Sequence, residues 1–169
     1  MAADRLVARE LMGTRFATIE RDQPVAAAIE RLIAVAAESG MPNALVVLDA
    51  EGRYEGILTA KLLIRSLMAL WSPARPVRED PLLLETDLLD LAADRGHMRA
   101  HDALVHGLPV AQPEERLFAL IERVCEMELE YLPVVEEGRA IGLVPATELF
   151  YAVARLALTP DDEGIRLER

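Results

Sequence analysis

The chain has 169 residues, 52% of them hydrophobic, and a formal net charge of −11 from 18 basic and 29 acidic residues. That suits one folded domain, or two small lobes sharing a core, and excludes a largely disordered chain. The acidic balance disfavours nucleic acid or an anionic membrane as partner, and no local basic patch overrides it.

The lone Cys125 excludes an internal disulfide and fits a reducing compartment. The N-terminus lacks the basic start and continuous apolar stretch of a signal peptide. The most apolar run, Leu62 to Trp71, is broken by Arg65 and is too short to span about 30 Å of hydrocarbon. The sequence therefore reads as that of a soluble, cytoplasmic protein.

Taken in order, residues 6–12 form a short helical or extended leading segment, Phe16 to Ile19 a brief strand, and Glu20 to Pro24 a turn. From Val25, the apolar positions Val25, Ile29, Leu32, Ile33 and Ala36 follow the stripe of an amphipathic helix. Leu45 to Trp71 reads as an apolar run, a Glu-Gly-Arg turn, a second apolar run through Gly56 and a helix. Pro73, Pro76 and Pro81 mark a linker, after which Leu84, Leu88 and Leu91 recur at helical spacing with Thr86 or Asp87 as cap. Leu117, Leu120, Ile121 and Val124 predict a further helix, in which Cys125 packs in the core. Leu132 to Val135, a turn at Gly138, and Ala140 to Val144 predict a hairpin. The helix that follows is expected to begin at Pro145, with Glu148 near its positive end. The charged tail 159–169 ends the sequence.

Two halves of the chain repeat one another. Gly142 lies 86 positions after Gly56, whereas Ile121-Glu122-Arg123 lies 92 positions after Ile29-Glu30-Arg31. The same larger offset aligns Arg9 to Met12 with His101 to Leu104. The difference places six extra residues in the first copy, around Ala36 to Asn43 and in its hairpin turn.

The repeated order of strand, helix, two strands and helix, with apolar-Pro-Val before a turn and Gly-apolar-apolar before the last helix, resembles the CBS domain. Two copies resemble a Bateman module, a stand-alone tandem CBS pair of bacterial type. The resemblance implies an α/β (α+β) fold of two pseudo-symmetric repeats, 6–71 and 98–158, joined by a linker with an extra helix over 72–97. It also implies two clefts that take adenine nucleotides (AMP, ADP, ATP) or S-adenosyl compounds, no required cofactor, and a regulatory role.

The family's nucleotide motif is Gly-apolar-apolar-Thr/Ser-x-x-Asp, in which the hydroxyl serves phosphate and the acid accepts from both ribose hydroxyls. The first copy, Gly56 to Leu62, keeps Thr59 but has Leu62 at the acid position. The second, Gly142 to Glu148, has Pro145 in place of the hydroxyl, followed by Thr147 and then Glu148 at the acid position. Leu132-Pro133-Val134 matches the segment that presents backbone groups and an apolar wall to adenine. The expected ligand residues are thus Leu132, Pro133, Val134, Gly142, Thr147 and Glu148, with Thr59 in the first copy. Lys61 and Arg139 are candidate phosphate partners.

Asp94, His97 and His101 would share one helix face, a spacing that can bind zinc, but no fourth ligand is evident and no metal site is assigned. No phosphate-binding loop, dinucleotide glycine pattern, GxSxG elbow or CxxC pair is present, so no enzyme is expected. Two functions stay open: a regulatory module sensing an adenosyl ligand in the second cleft, and a degenerate pair acting as a dimerisation or protein-docking scaffold. The broad apolar surfaces of Leu62 to Trp71 and Leu149 to Leu158 point to a homodimer through those helices.

Overall fold

The computed structural model describes residues 6–69, without the side chains of 67–69, and residues 97–158. The linker, the expected helix over Leu84 to Leu91, Asp94, Trp71 and the charged tail lie outside the described residues. Element order is α1 (Ala8–Leu11), β1 (Ala17–Glu20), α2 (Val25–Ala36), β2 (Ala44–Leu48), β3 (Tyr54–Thr59) and α3 (Ala60–Ala69). A 3-10 turn (Ala100–Ala103), α4 (Leu117–Met127), β4 (Tyr131–Glu136), β5 (Arg139–Pro145) and α5 (Ala146–Leu158) follow.

In the first half β1 runs parallel to β2, and β2 antiparallel to β3. In the second, β4 and β5 form the antiparallel pair, and a single parallel bridge from Ala111 to Val134 stands where β1 stands in the first. The registers correspond, since Val47 faces Gly56 as Val134 faces Gly142. The offset falls from 92 at the helices to 87 at Val47/Val134 and 86 at Gly56/Gly142, so five of the six extra residues lie between α2 and β2 and one in the hairpin.

Strand alternation buries both sheet faces. Leu45 and Val47 point into a core under α2, whereas Ala44 and Val46 point with Ile57 and Leu62 into a central layer that Leu143 of the other half joins. Leu132, Val134 and Val144 likewise face a core under α4 and α5.

The helices bury faces one step away from those expected. α2 buries Val25, Ala28, Leu32 and Val35, leaving Ala36 exposed, Ile29 at 39% and Ile33 at 68% exposure. Its stripe is turned toward Ala28 because that small side chain lets the helix approach Ala100 and Ala103 closely, and packing density outweighs the larger hydrophobes. α4 buries Leu117, Leu120 and Val124 at the same spacing, which turns Cys125 out to solvent rather than into the core. Pro145 is not the first helical residue: it ends β5 opposite Tyr131, and the N–H of Ala146 donates to Glu130 O at 2.9 Å as the helix begins. A strand end tolerates a residue that cannot donate.

Each half is completed by the leading segment of the other. Ala8 and Leu11 of α1 sit in the second core, while Ala100, Ala103 and Leu104 sit in the first. The backbone bonds that hold them correspond: Ala8 N–H donates to Glu115 O (2.9 Å) and Arg9 N–H to Pro113 O (2.9 Å), as Ala100 N–H donates to Gln23 O (2.7 Å) and His101 N–H to Arg21 O (3.1 Å). Side chains reinforce both. Arg9 reaches Glu114 at 3.1 Å and Glu136 at 2.7 Å, which raises its pKa chiefly through the Glu136 hydrogen bond. His101 Nδ1 lies 3.0 Å from Glu55 Oε2, and Arg21 contacts the other oxygen of Glu55.

The exchange explains the glycine of the repeated Gly-apolar-apolar signature. A Cβ on Gly56 would lie 2.6 Å from Leu104 Cδ2, and one on Gly142 would lie 2.6 Å from Met12 Sδ and 2.9 Å from Gly13 O. Both glycines clear space for the partner half's leading segment. Gly56→Ala and Gly142→Ala should each lose about 1 to 3 kcal/mol, the range for overpacking. Gly142→Ala should lose more, because a backbone oxygen yields less readily than a leucine methyl. Thermal unfolding followed by circular dichroism reads this as a fall of roughly 2 to 4 °C per kcal/mol. Leu104→Ala should partly rescue Gly56→Ala, and wild-type melting of both glycine variants would refute the packing role.

Candidate functional site

The two halves leave two clefts of very different size. The cleft at the start of α5 has a volume of about 660 Å³, lined on one side by Thr147, Glu148 and Pro145 and on the other by Glu10 to Arg15 and Gly40 to Pro42. Its counterpart at the start of α3 is reduced to about 40 Å³ between Thr59, Lys61 and Leu62 and the segment Met127 to Tyr131. Tyr131 lines both.

Connection length sets the difference. In the second half only residues 128–130 separate α4 from β4, and Glu128, at a left-handed φ of 50°, ends the helix abruptly. That short link lies directly against the first cleft, where Lys61 Nζ donates to Glu128 O at 3.3 Å. In the first half residues 37–43 make the same connection, and this longer loop places Gly40, Met41 and Pro42 along the second cleft without closing it. Asn43 N–H donates to the Tyr131 hydroxyl at 3.1 Å, fixing the loop to the opposite half.

Of the residues expected at the second site, Thr147 and Glu148 line the open cleft. Thr147 is exposed; the Glu148 carboxylate is 4.0 Å from Arg155 Nη2, and both side chains are well solvated. Leu132, Pro133 and Val134 do not line it. Leu132 and Val134 are buried in the second core, and the Pro133 carbonyl accepts from Ala111 N–H at 2.8 Å, so that part of the backbone is already used. Gly142 is buried against Met12 and Gly13 and does not line the cleft either. Thr59 is buried, and its hydroxyl accepts from Leu62 N–H at 3.2 Å, capping α3.

Other charged candidates are engaged within the chain. Arg139 donates to Glu51 O at 3.1 Å across the facing hairpins, and Lys61 is held at Glu128. His97 lies in a turn and His101 in the 3-10 turn, so they do not share a helix face. Among the described residues no group of three His, Cys, Asp or Glu could hold a metal ion. No helix among them is long and apolar enough to cross a membrane.

Among the cleft residues that motif reading missed are Glu10, Thr14, Arg15, Met41, Pro42 and Tyr131. Glu10 to Arg15 come from the exchanged leading segment, where Gly13 pairs with Leu143 through bonds of 2.9 and 3.0 Å. A motif confined to one copy does not contain them. The extra residues between α2 and β2 were the signal that could have pointed to Met41 and Pro42.

In comparisons with known proteins, the CBS domain family model matches residues 8–69. No curated protein matches the chain. Among solved structures, a CBS-domain-containing protein of Agrobacterium tumefaciens is similar at 19% identity and a TM-score of 0.62, covering 87% of this chain and 92% of its own. CBSX2 in complex with AMP is similar at 18% identity and a TM-score of 0.61, covering 89% of this chain and 98% of its own. The cytosolic domain of the Mg2+ channel MgtE in complex with ATP is similar at 17% identity and a TM-score of 0.60, covering 86% of this chain and 48% of its own. Residues 8–69 thus form a CBS domain, and over most of its length the chain has the fold of these CBS-domain structures.

Proposed function

We propose that this protein is a non-catalytic regulatory module that senses an adenosyl compound in the cleft at the start of α5, with residues 98–158 serving as a second, diverged CBS repeat. The observation that carries the reading is the asymmetry of the clefts. At about 660 Å³ the second lies within the usual range for small-ligand sites, whereas about 40 Å³ holds little more than one water. The open cleft is also the one lined by Glu148, a two-oxygen acceptor suited to a ribose diol, while the closed one has the apolar Leu62 at that position. Similar structures carrying AMP and ATP support an adenine ligand class.

Adenosine should therefore raise the melting temperature of the intact protein and bind with a measurable heat. Glu148→Ala removes a charge-assisted acceptor of about 1.5 to 3 kcal/mol, so adenosine affinity should fall about tenfold or more in calorimetry. Unchanged affinity would remove Glu148 from the site, and no response to any adenosyl compound would favour a scaffold without nucleotide. Pro145 at the hydroxyl position and the filled first cleft are the features that support that second reading.

The same module is proposed to pair with a second copy through α3 and α5. Leu62, Leu63 and Leu149 are buried within their own chain, but Ile64 (62% exposed), Phe150 (66%) and Leu158 (81%) stay in solvent, with Val153 beside them. Large apolar side chains presented by the matching helix of each half suit an isologous two-fold contact. Light scattering at micromolar concentration should give a dimer mass that Phe150→Glu splits. A monomer mass for the parent protein would reject the pairing.

A further inference from the structure

Charge, rather than size, distinguishes the open cleft from a general nucleotide site. Its lining carries two carboxylates, Glu10 and Glu148, and among the described lining residues one cation, Arg15. Arg15 is already paired, its Nη2 lying 3.0 Å from Glu38 Oε1. Among the described residues a further cation, Arg155, lies in an adjoining pocket of about 240 Å³ and faces Glu148 at 4.0 Å. Counting Glu10, Glu148, Arg15, Glu38 and Arg155 together, three negative charges stand against two positive, within a chain of net charge −11.

The groups that would receive phosphate are also diminished. Pro145 has neither hydroxyl nor N–H at the position where a donor would sit, and Ala146 N–H is used by Glu130 O. The start of α5 still carries a partial positive charge of about half a unit, but Glu148 in its first turn already supplies the negative charge that end favours. Half a unit does not offset two carboxylates and a dianion together.

We propose that this cleft selects adenosyl ligands by charge, taking those that carry a positive group and rejecting phosphorylated ones. The proposal rests on the adenosyl reading above and narrows it, away from the AMP and ATP held by the similar structures.

The test is calorimetry on the intact protein with four probes sharing one adenosine moiety: adenosine, 5′-amino-5′-deoxyadenosine, AMP and ATP. The amine should bind tightest, adenosine next, and AMP at least about tenfold more weakly than the amine, equivalent to about 1.4 kcal/mol, with ATP weaker still. Raising salt to about 0.5 M shortens the screening length to a few ångströms and should compress this ranking. Glu38→Gln releases Arg15 without altering the cleft lining, so AMP affinity should rise roughly twofold to fivefold while adenosine affinity holds.

AMP or ATP binding as tightly as adenosine would overturn the charge selection and leave the adenosyl reading standing. A ranking unmoved by both salt and Glu38→Gln would overturn it too, since the preference would then not be electrostatic. Failure of all four probes to bind would overturn both readings.

Discussion

The structure depends on the reciprocal exchange of the two leading segments. Neither half closes its own core: α1 supplies Ala8 and Leu11 to the second, and the 3-10 turn with the residue after it supplies Ala100, Ala103 and Leu104 to the first. Removing either segment would expose the apolar floor beneath a helix and leave a row of backbone acceptors unpaired, a double cost in burial and hydrogen bonding. The two glycines that face Met12 and Leu104 belong to the same constraint. Their φ angles are ordinary; what they provide is room.

The exchange also builds the site. Because α1 docks on the second half, the residues that follow it run beside β5, and Glu10 to Arg15 form one wall of the open cleft. The opposite wall belongs to α5. The pocket is therefore assembled from both halves of the chain, and its shape depends on how they pack together. The central layer of Val46, Ile57 and Leu143 packs the two sheets together beneath it.

Approximate symmetry made the fold, and departures from it made the two clefts unequal. The leading segments, helix stripes and sheet registers correspond between the halves, yet one connection is longer in the first half and the clefts differ in consequence by more than an order of magnitude in volume. One cleft is filled by the chain's own Lys61, Leu62 and Glu128, which leaves the other as the open one of the pair. Glu148 is placed there, and Leu62 at the matching position of the filled cleft.

The sequence by itself determined the repeat, the order of the described elements and the acid in the first turn of α5, because each is written in local periodicity or in a fixed offset. Gly56 and Gly142 were legible as a matched pair, and so was the insertion between α2 and β2. Tertiary structure alone decided the rest. Which face α2 buries depended on the approach of Ala100 and Ala103 from the far half, so Ile29 and Ile33 were turned out in favour of Ala28 and Val35. Cys125 follows the same rule. Leu132 to Val134 were drawn into the core and Thr59 into a helix cap, while Glu10, Arg15 and Tyr131 reached the cleft through contacts between the two halves of the chain. Local patterns record which residues prefer burial, but which neighbour they are buried against is set only when distant segments compete for the same space.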